Sequence, residues 1–245
     1  MDSRRIAALV RPFLAAAATQ DAEDRSQAPL STEPAVALTN EQLEQISAYL
    51  DLLLRWNARM NLSAVRDAEG IVTRHFGESL FTARHLFPAK EDRHSQSRLI
   101  DVGSGAGFPG LPIKIWSSDV ALTLIESNQR KATFLRELIR RLELSDAAVF
   151  PGRAESFPGQ AEVVTLRAVE RFERALGIAT RLLVPAGRLA LLIGSGQVRR
   201  AQELGGNLSW QPAIRIPLSA SRVLLLGQRG SLSPSCQLID SGTLP

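Results

Sequence analysis

Apolar positions in the first third of the chain recur at helical spacing. Leu43, Ile46, Leu50, Leu53 and Leu54 lie three or four residues apart, which places them on one face of a helix. Thr39 and Gln42 stand where an N-cap and its capping-box partner stand, so the helix opens at Leu38–Thr39. It closes through Trp56-Asn57 into the turn Asn61-Leu62-Ser63. A second helix begins near Asp67, with Ile71, Phe76, Leu80 and Phe81 facing inward. Residues 1–18 read as a further helix, although Arg4, Arg5 and Arg11 beside Ala15 to Ala18 also give them the look of a transit peptide. Residues 20–34, with their acids and prolines, read as a flexible linker. A polar loop, residues 88–97, closes the helical section.

From Arg98 the period changes. Short apolar runs at 98–102, 120–125, 147–150, 163–166 and 188–193 predict strands. Helical patterns at 111–116, 129–142, 172–183 and 198–204 alternate with them. Two extended runs, 213–217 and 222–226, are joined by a Ser/Ala turn and predict an antiparallel hairpin at the sheet edge. Strand–helix alternation of this kind predicts an α/β fold with a doubly wound, Rossmann-like sheet of seven strands. By analogy of fold, seven strands ending antiparallel point to S-adenosylmethionine (SAM)-dependent methyltransferases. The expected organisation is an extension and linker over 1–36 and a main domain over 37–229. That domain divides into a helical section, 37–90, and an α/β core, 98–229. Residues 230–245, rich in Ser, Gly and Pro, read as a disordered tail.

Composition narrows the classes. The 245 residues are 44% hydrophobic and 22% charged, an ordinary globular balance. No run reaches the ~18 apolar residues of a membrane span, so no membrane partner is expected. Net charge is +4, which permits an anionic partner without demanding one. A lone cysteine, Cys236, excludes an internal disulfide and fits a cytoplasmic setting. His75, His85 and His94 have no metal-ligand spacing with it, so no metal is expected.

The chemistry gathers in residues 98–112, RLIDVGSGAGFPGLP. An apolar strand ends in four glycines within eight residues and opens a helix. A plain connecting turn needs one or two glycines; four suggest a ligand approaching the backbone at the carboxyl edge of a parallel sheet. Gly105, Gly107 and Gly110 fit GxGxxG, a dinucleotide pattern. Asp101, Gly103, Gly105 and Gly107 instead fit acid-x-Gly-x-Gly-x-Gly, the pattern of SAM enzymes. A dinucleotide brings a pyrophosphate, whereas SAM brings an ammonium and a sulfonium that a carboxylate at Asp101 would suit. Glu126, at the end of the second strand, stands where an acid accepts ribose hydroxyls. Residues 152–155, Gly-Arg-Ala-Glu, come after the third strand, beside the expected adenine position. Arg167 ends the fourth strand, where a cation is costly unless it is paired or faces a ligand.

Together these residues resemble the RsmG/GidB family, bacterial 16S ribosomal RNA guanine-N7 methyltransferases, over about residues 38–226. The likeness rests on Trp56-Asn57, Asn61-Leu62-Ser63-Ala64, Arg74-His75-Phe76, Glu78-Ser79, the run DVGSGAGFPG from Asp101, Leu124 to Ser127, Gly152 to Glu155 and Arg167-Ala168. The resemblance implies SAM contacts at Gly103, Phe108, Ala154, Glu155 and Arg167, with Glu126 on the ribose. Asp101 and Gly105 complete the expected cofactor site, and Arg167 is the candidate catalytic residue. It also implies 16S rRNA or the small ribosomal subunit as partner; separately, a monomer is expected. Candidate phosphate-binding cations are Arg55, Arg59, Arg66, Arg74 and Arg84, then Arg130, Lys131, Arg136, Arg140 and Arg141. The chain departs from the family pattern at Ile193 (usually lysine), Glu78 (usually Asp) and Gln228 (commonly basic). Alternatives are an NAD(P)-linked oxidoreductase and a non-catalytic RNA-binding protein with a vestigial SAM pocket.

Overall fold

The computed structural model describes residues 1–15, 37–88, 96–168 and 171–231. The expected linker, the tail from 232 onward, His94 and Cys236 lie outside the described residues.

Five parallel strands form most of the sheet: β1 (Arg98–Val102), β2 (Ala121–Ile125), β3 (Ala147–Phe150), β4 (Ala161–Arg167) and β5 (Leu183–Gly194). Three short or antiparallel strands complete it: β6 (Leu208–Trp210), β7 (Ile214–Arg215) and β8 (Arg222–Arg229). The order is β3-β2-β1-β4-β5-β8-β6, with β7 also on β8. The hairpin read from the sequence is present as β7 and β8, but β8 is interior. It pairs antiparallel with β5 on one side and with β6 and β7 in tandem on the other. The true edge is this broken strand, so eight strands occupy seven positions. β6 has only three residues, too few for an alternation to show. β5 also begins earlier than its apolar run, at Leu183, and passes through Ala186 at φ 61°.

Alternate residues of each strand feed two cores. Leu99, Val163, Ala190 and Leu192 face a large cluster with the N-terminal helices. Ile100, Val164, Leu189 and Leu191 face a second cluster covered by α7 (Phe172–Arg181) and α8 (Val198–Leu204). The switch point between β1 and β4, from which the chain winds in both directions, is where open α/β sheets bind ligands.

The helical section forms the layer on the first face. In α2 (Asn40–Asn57), the capping box of Thr39 and Gln42 is formed. The Gln42 amide nitrogen also donates to the Ile115 carbonyl, which ties this helix to α5 (Gly110–Trp116). α1 (Ser3–Leu14) buries Ile6, Val10, Phe13 and Leu14 in the same core. The second predicted helix is continuous but not uniform. A π-helical turn, Val72–Gly77, separates α3 (Ala68–Ile71) from α4 (Glu78–Leu86). Such turns are rare and frequently found at functional sites; this one carries Arg74 and His75. Among the described residues no helix is long and apolar enough to cross a membrane.

Candidate active site

β1 ends in a turn that the sheet itself holds open. The N–H groups of Gly103 and Ser104 both donate to the Ile125 carbonyl at the end of β2, at 2.9 and 3.0 Å. Gly103 has φ 69° and is exposed, a conformation most side chains resist. Gly107 does different work: a Cβ there would come within 2.5 Å of the Tyr49 hydroxyl. Gly110 likewise packs on Leu124 and Asp101. Two of the three glycines behind the GxGxxG reading are thus packing positions, while Gly103 and Gly105 border open space.

That space is a cavity of about 790 Å³. Of the residues expected to hold a cofactor, Gly103, Gly105, Phe108, Glu126, Ala154, Glu155 and Arg167 all line it. Asp101 does not. Its carboxyl is 1% exposed and accepts the Thr165 hydroxyl at 2.7 Å, while Oδ2 has no hydrogen bond. Burial raises its pKa to about 6, against the Thr165 hydrogen bond, which lowers it. The expected carboxylate for an ammonium is therefore a support beneath the glycine turn, because Asp101 faces the core side of the strand.

Glu126 is the acid that does face the cavity. Oε2 accepts the Gly105 N–H at 2.9 Å and Oε1 accepts the Asn128 N–H at 2.7 Å. These bonds fix the carboxylate between the glycine turn and the start of α6 (Gln129–Arg141). Each oxygen retains a lone pair for a further donor. Glu155, exposed at the cavity, pairs with Arg174 at 2.5 Å.

The other end of the cavity is cationic. Arg167 Nη2 donates to Glu78 Oε2 at 2.9 Å and to the Arg74 carbonyl at 2.9 Å. Arg222 Nε stands 2.9 Å from the same Glu78 oxygen, an ion pair without a hydrogen bond from Nε. The register explains the convergence. Arg167 pairs with Leu192 and Arg222 with Gly194, so both arginines stand at the carboxyl end of β5. Glu78 approaches from the first turn of α4. Desolvation pulls Arg167 down to about 10, opposed by the attraction of Glu78; it stays charged at neutral pH.

His75 sits between this pair and the glycine turn. Its Nδ1 lies 3.0 Å from Arg167 Nη2, its Nε2 2.6 Å from Ser63 Oγ, and its ring 5.0 Å from that of Phe108. Burial and the neighbouring positive charges lower its pKa to about 3, so it is neutral. Phe108 in turn stacks on Tyr49 at 5.2 Å, and Tyr49 donates to the Ala106 carbonyl at 2.5 Å. Burial pushes the Tyr49 hydroxyl well above its ordinary pKa.

Sequence reasoning did not assign site roles to Tyr49, His75, Glu78 or Arg222. His75 and Glu78 lie within the runs Arg74-His75-Phe76 and Glu78-Ser79, and an acid within a basic helix is the signal that marks Glu78. Tyr49 and Arg222 are brought in by packing and by antiparallel register, which no local pattern reveals. Of the candidate phosphate-binding cations, Arg74 and Lys131 line the cavity. Arg66 is spent on Asn57 and Asn61, and Arg84 on the Ala15 carbonyl. Among the described residues no three of His, Cys, Asp and Glu could hold a metal ion.

The sheet order, the glycine turn beside β1 and the acid after β2 define the SAM-dependent methyltransferase class. The fold matches that of M. jannaschii TYW2, solved in complex with AdoMet, at a TM-score of 0.51 and 13% identity, over 63% of this chain and 77% of that one. Sequence relationship is narrower. The family described as rRNA small subunit methyltransferase G matches residues 42–213, and the chain belongs to that family. Its relatives include the ribosomal RNA small subunit methyltransferase G of Chloroflexus aggregans, 37% identical over 213 residues, 82% of this chain and 87% of the relative. That of Roseiflexus sp. is 39% identical over 202 residues, 77% and 84% respectively.

Proposed function

We propose that this methyltransferase moves the methyl group of SAM to N7 of a guanine in 16S rRNA of the small ribosomal subunit. The observation that carries the reading is one continuous cavity with the Gly103–Gly105 turn and Glu126 at one end and Arg167, Arg74 and Arg222 at the other. The first end suits a ribose and an aliphatic cation; the second suits an anionic nucleic acid. Bound SAM supplies a methyl carbon already activated by a sulfonium.

What this chain contributes is alignment. Guanine N7 offers a lone pair and no proton, so no general base is needed. The site agrees: the one histidine in it has its Nδ1 lone pair facing a permanent cation, Arg167. Glu126 holds the ribose, Gly103 lets the cofactor approach the backbone, and Ala154 and Glu155 flank the adenine. Arg167 orients the methyl donor or the base edge, and Arg74, Lys131 and the exposed arginines of α6 meet RNA phosphates. The protein acts as a cytoplasmic monomer in this reading.

Labelled SAM with unmodified small subunits, followed by mapping of the product base, tests the reading. Methylation at guanine N7 is expected, with free guanosine a poor substrate because phosphate contacts are lost. Equal rates on guanosine and on ribosomal RNA would overturn the RNA assignment. S-adenosylhomocysteine is expected to raise the melting temperature, and NAD is not.

A further inference from the structure

The loop between α2 and α3 places one hydroxyl in the cavity with almost all its bonding capacity used. Asn57, 4% exposed, grips the backbone of Ser63. Its Oδ1 accepts the Leu62 and Ser63 N–H groups, each at 3.0 Å, and its Nδ2 donates to the Ser63 carbonyl at 3.1 Å. Arg66 braces the same loop through the Asn57 carbonyl and Asn61 Oδ1. Ser63 is therefore fixed in place before any substrate arrives.

The direction of its hydroxyl hydrogen is set by its neighbours. An arginine cannot accept a hydrogen bond, so the His75 Nδ1 that faces Arg167 Nη2 presents its lone pair. Neutral His75 then carries its proton on Nε2 and donates it to Ser63 Oγ, 2.6 Å away. The Val65 N–H donates to the same oxygen at 3.0 Å. Both acceptor positions of Ser63 Oγ are filled. Its own O–H makes no hydrogen bond as donor among the described residues, and Ser63, Ala64 and Val65 line the cavity beside His75 and Arg167.

We infer that Ser63 is a specificity residue whose hydroxyl donates to the O6 carbonyl of the target guanine. The inference rests on the guanine-N7 reading and deepens it. O6 and N7 lie side by side on one base edge, and both are acceptors in guanine. Adenine presents an N6 donor where guanine presents O6. A fixed hydroxyl that can only donate accepts guanine and opposes adenine. His75 acts here as a positioning residue, because its Nε2–H occupies the lone pair that would otherwise let Ser63 turn and accept.

The test uses small subunits reconstituted with RNA carrying one altered base at the mapped position. 2-Aminopurine lacks O6 and keeps N7; 7-deazaguanine lacks N7 and keeps O6. With the unaltered enzyme, 2-aminopurine is expected to lower methylation about tenfold, the loss of one hydrogen bond. Ser63→Ala is expected to methylate guanine about tenfold more slowly and to treat guanine and 2-aminopurine alike. Ser63→Thr, which keeps the hydroxyl, is expected to retain the preference. If Ser63→Ala does not fold, Ser63→Cys, a weak donor, gives the same comparison. The inference is overturned if the unaltered enzyme ignores the loss of O6, or if the alanine or cysteine variant keeps the full preference for guanine. Methylation of 7-deazaguanine at the guanine rate would instead overturn the N7 reading, separately from the role of Ser63.

Discussion

Arg167 Nη2 and Glu78 Oε2 are 2.9 Å apart, with side chains only 6% and 3% exposed. Glu78 also faces Arg222, so one carboxylate balances two arginines at the cavity wall. The consequence is asymmetric. Glu78→Ala leaves two withdrawn cations uncompensated and is expected to cost about 3–5 kcal/mol of stability. Arg167→Ala leaves Glu78 paired with Arg222 and is expected to cost less, about 2 kcal/mol. Urea denaturation of the two variants measures the difference; equal losses would mean that Arg222 does not compensate.

Arg167→Ala is expected to fold and to lose methyl transfer by at least about a hundredfold, the scale on which misplaced reactants slow a reaction. Single-turnover methylation of small subunits, with circular dichroism as the control for folding, reads this out. Near-normal turnover would remove Arg167 from the chemistry and leave it a structural cation.

Gly103→Val is expected to abolish S-adenosylhomocysteine binding in calorimetry while the protein remains folded. A branched side chain at φ 69° is strained, and Gly103 lines the same cavity as Glu126. Normal affinity in this variant would place the cofactor elsewhere.

Much of this was legible in the sequence because it was local. The capping box at Thr39, the periodicity of α2 and α6 and the glycine turn are each set by residues within a few positions of one another. That Glu126, Ala154, Glu155 and Arg167 line one cavity follows from the strands of a parallel sheet ending at one edge. Asp101 shows the limit. Spacing puts an acid before the first glycine, but only the pleat decides which face it takes. Here it points to Thr165 and away from the cavity. β6 and the role of Arg222 depend on antiparallel pairing with β8, and the seat of α1 depends on chain far from it in sequence.

The buried carboxyl of Asp101 has a pH signature. Its folded pKa, about 6, is above the ordinary 3.8. Between those values the folded state holds a proton that the unfolded state releases. Stability from this group is therefore full on the acid side and falls as pH rises through about 4 to 6, by on the order of 3 kcal/mol. Asp101→Asn removes the titration and keeps an oxygen for the Thr165 hydroxyl. The stability difference between Asp101→Asn and the parent is expected to shift in favour of Asn between pH 4 and pH 7.5. Urea midpoints at the two pH values check it; an unchanged difference would mean that Asp101 titrates normally.

The N-terminal helix bears on the part of the cavity that holds Arg74 and His75. Phe13 is 2% exposed and lies against Gly77, which has no room for a Cβ. Gly77 ends the π-helical turn that carries Arg74 and His75. The glycine turn and Glu126, by contrast, are held by bonds to the end of β2 and the start of α6. Phe13→Ala is expected to cost about 3–5 kcal/mol through the cavity it leaves. Below its melting point, it is expected to bind S-adenosylhomocysteine with the parent's affinity but to methylate small subunits several-fold more slowly. Calorimetry and single-turnover methylation on the same preparation separate the two effects. A parallel loss of cofactor affinity would mean that α1 supports the whole site, and unchanged methylation would mean that the π-helical turn holds its shape without α1.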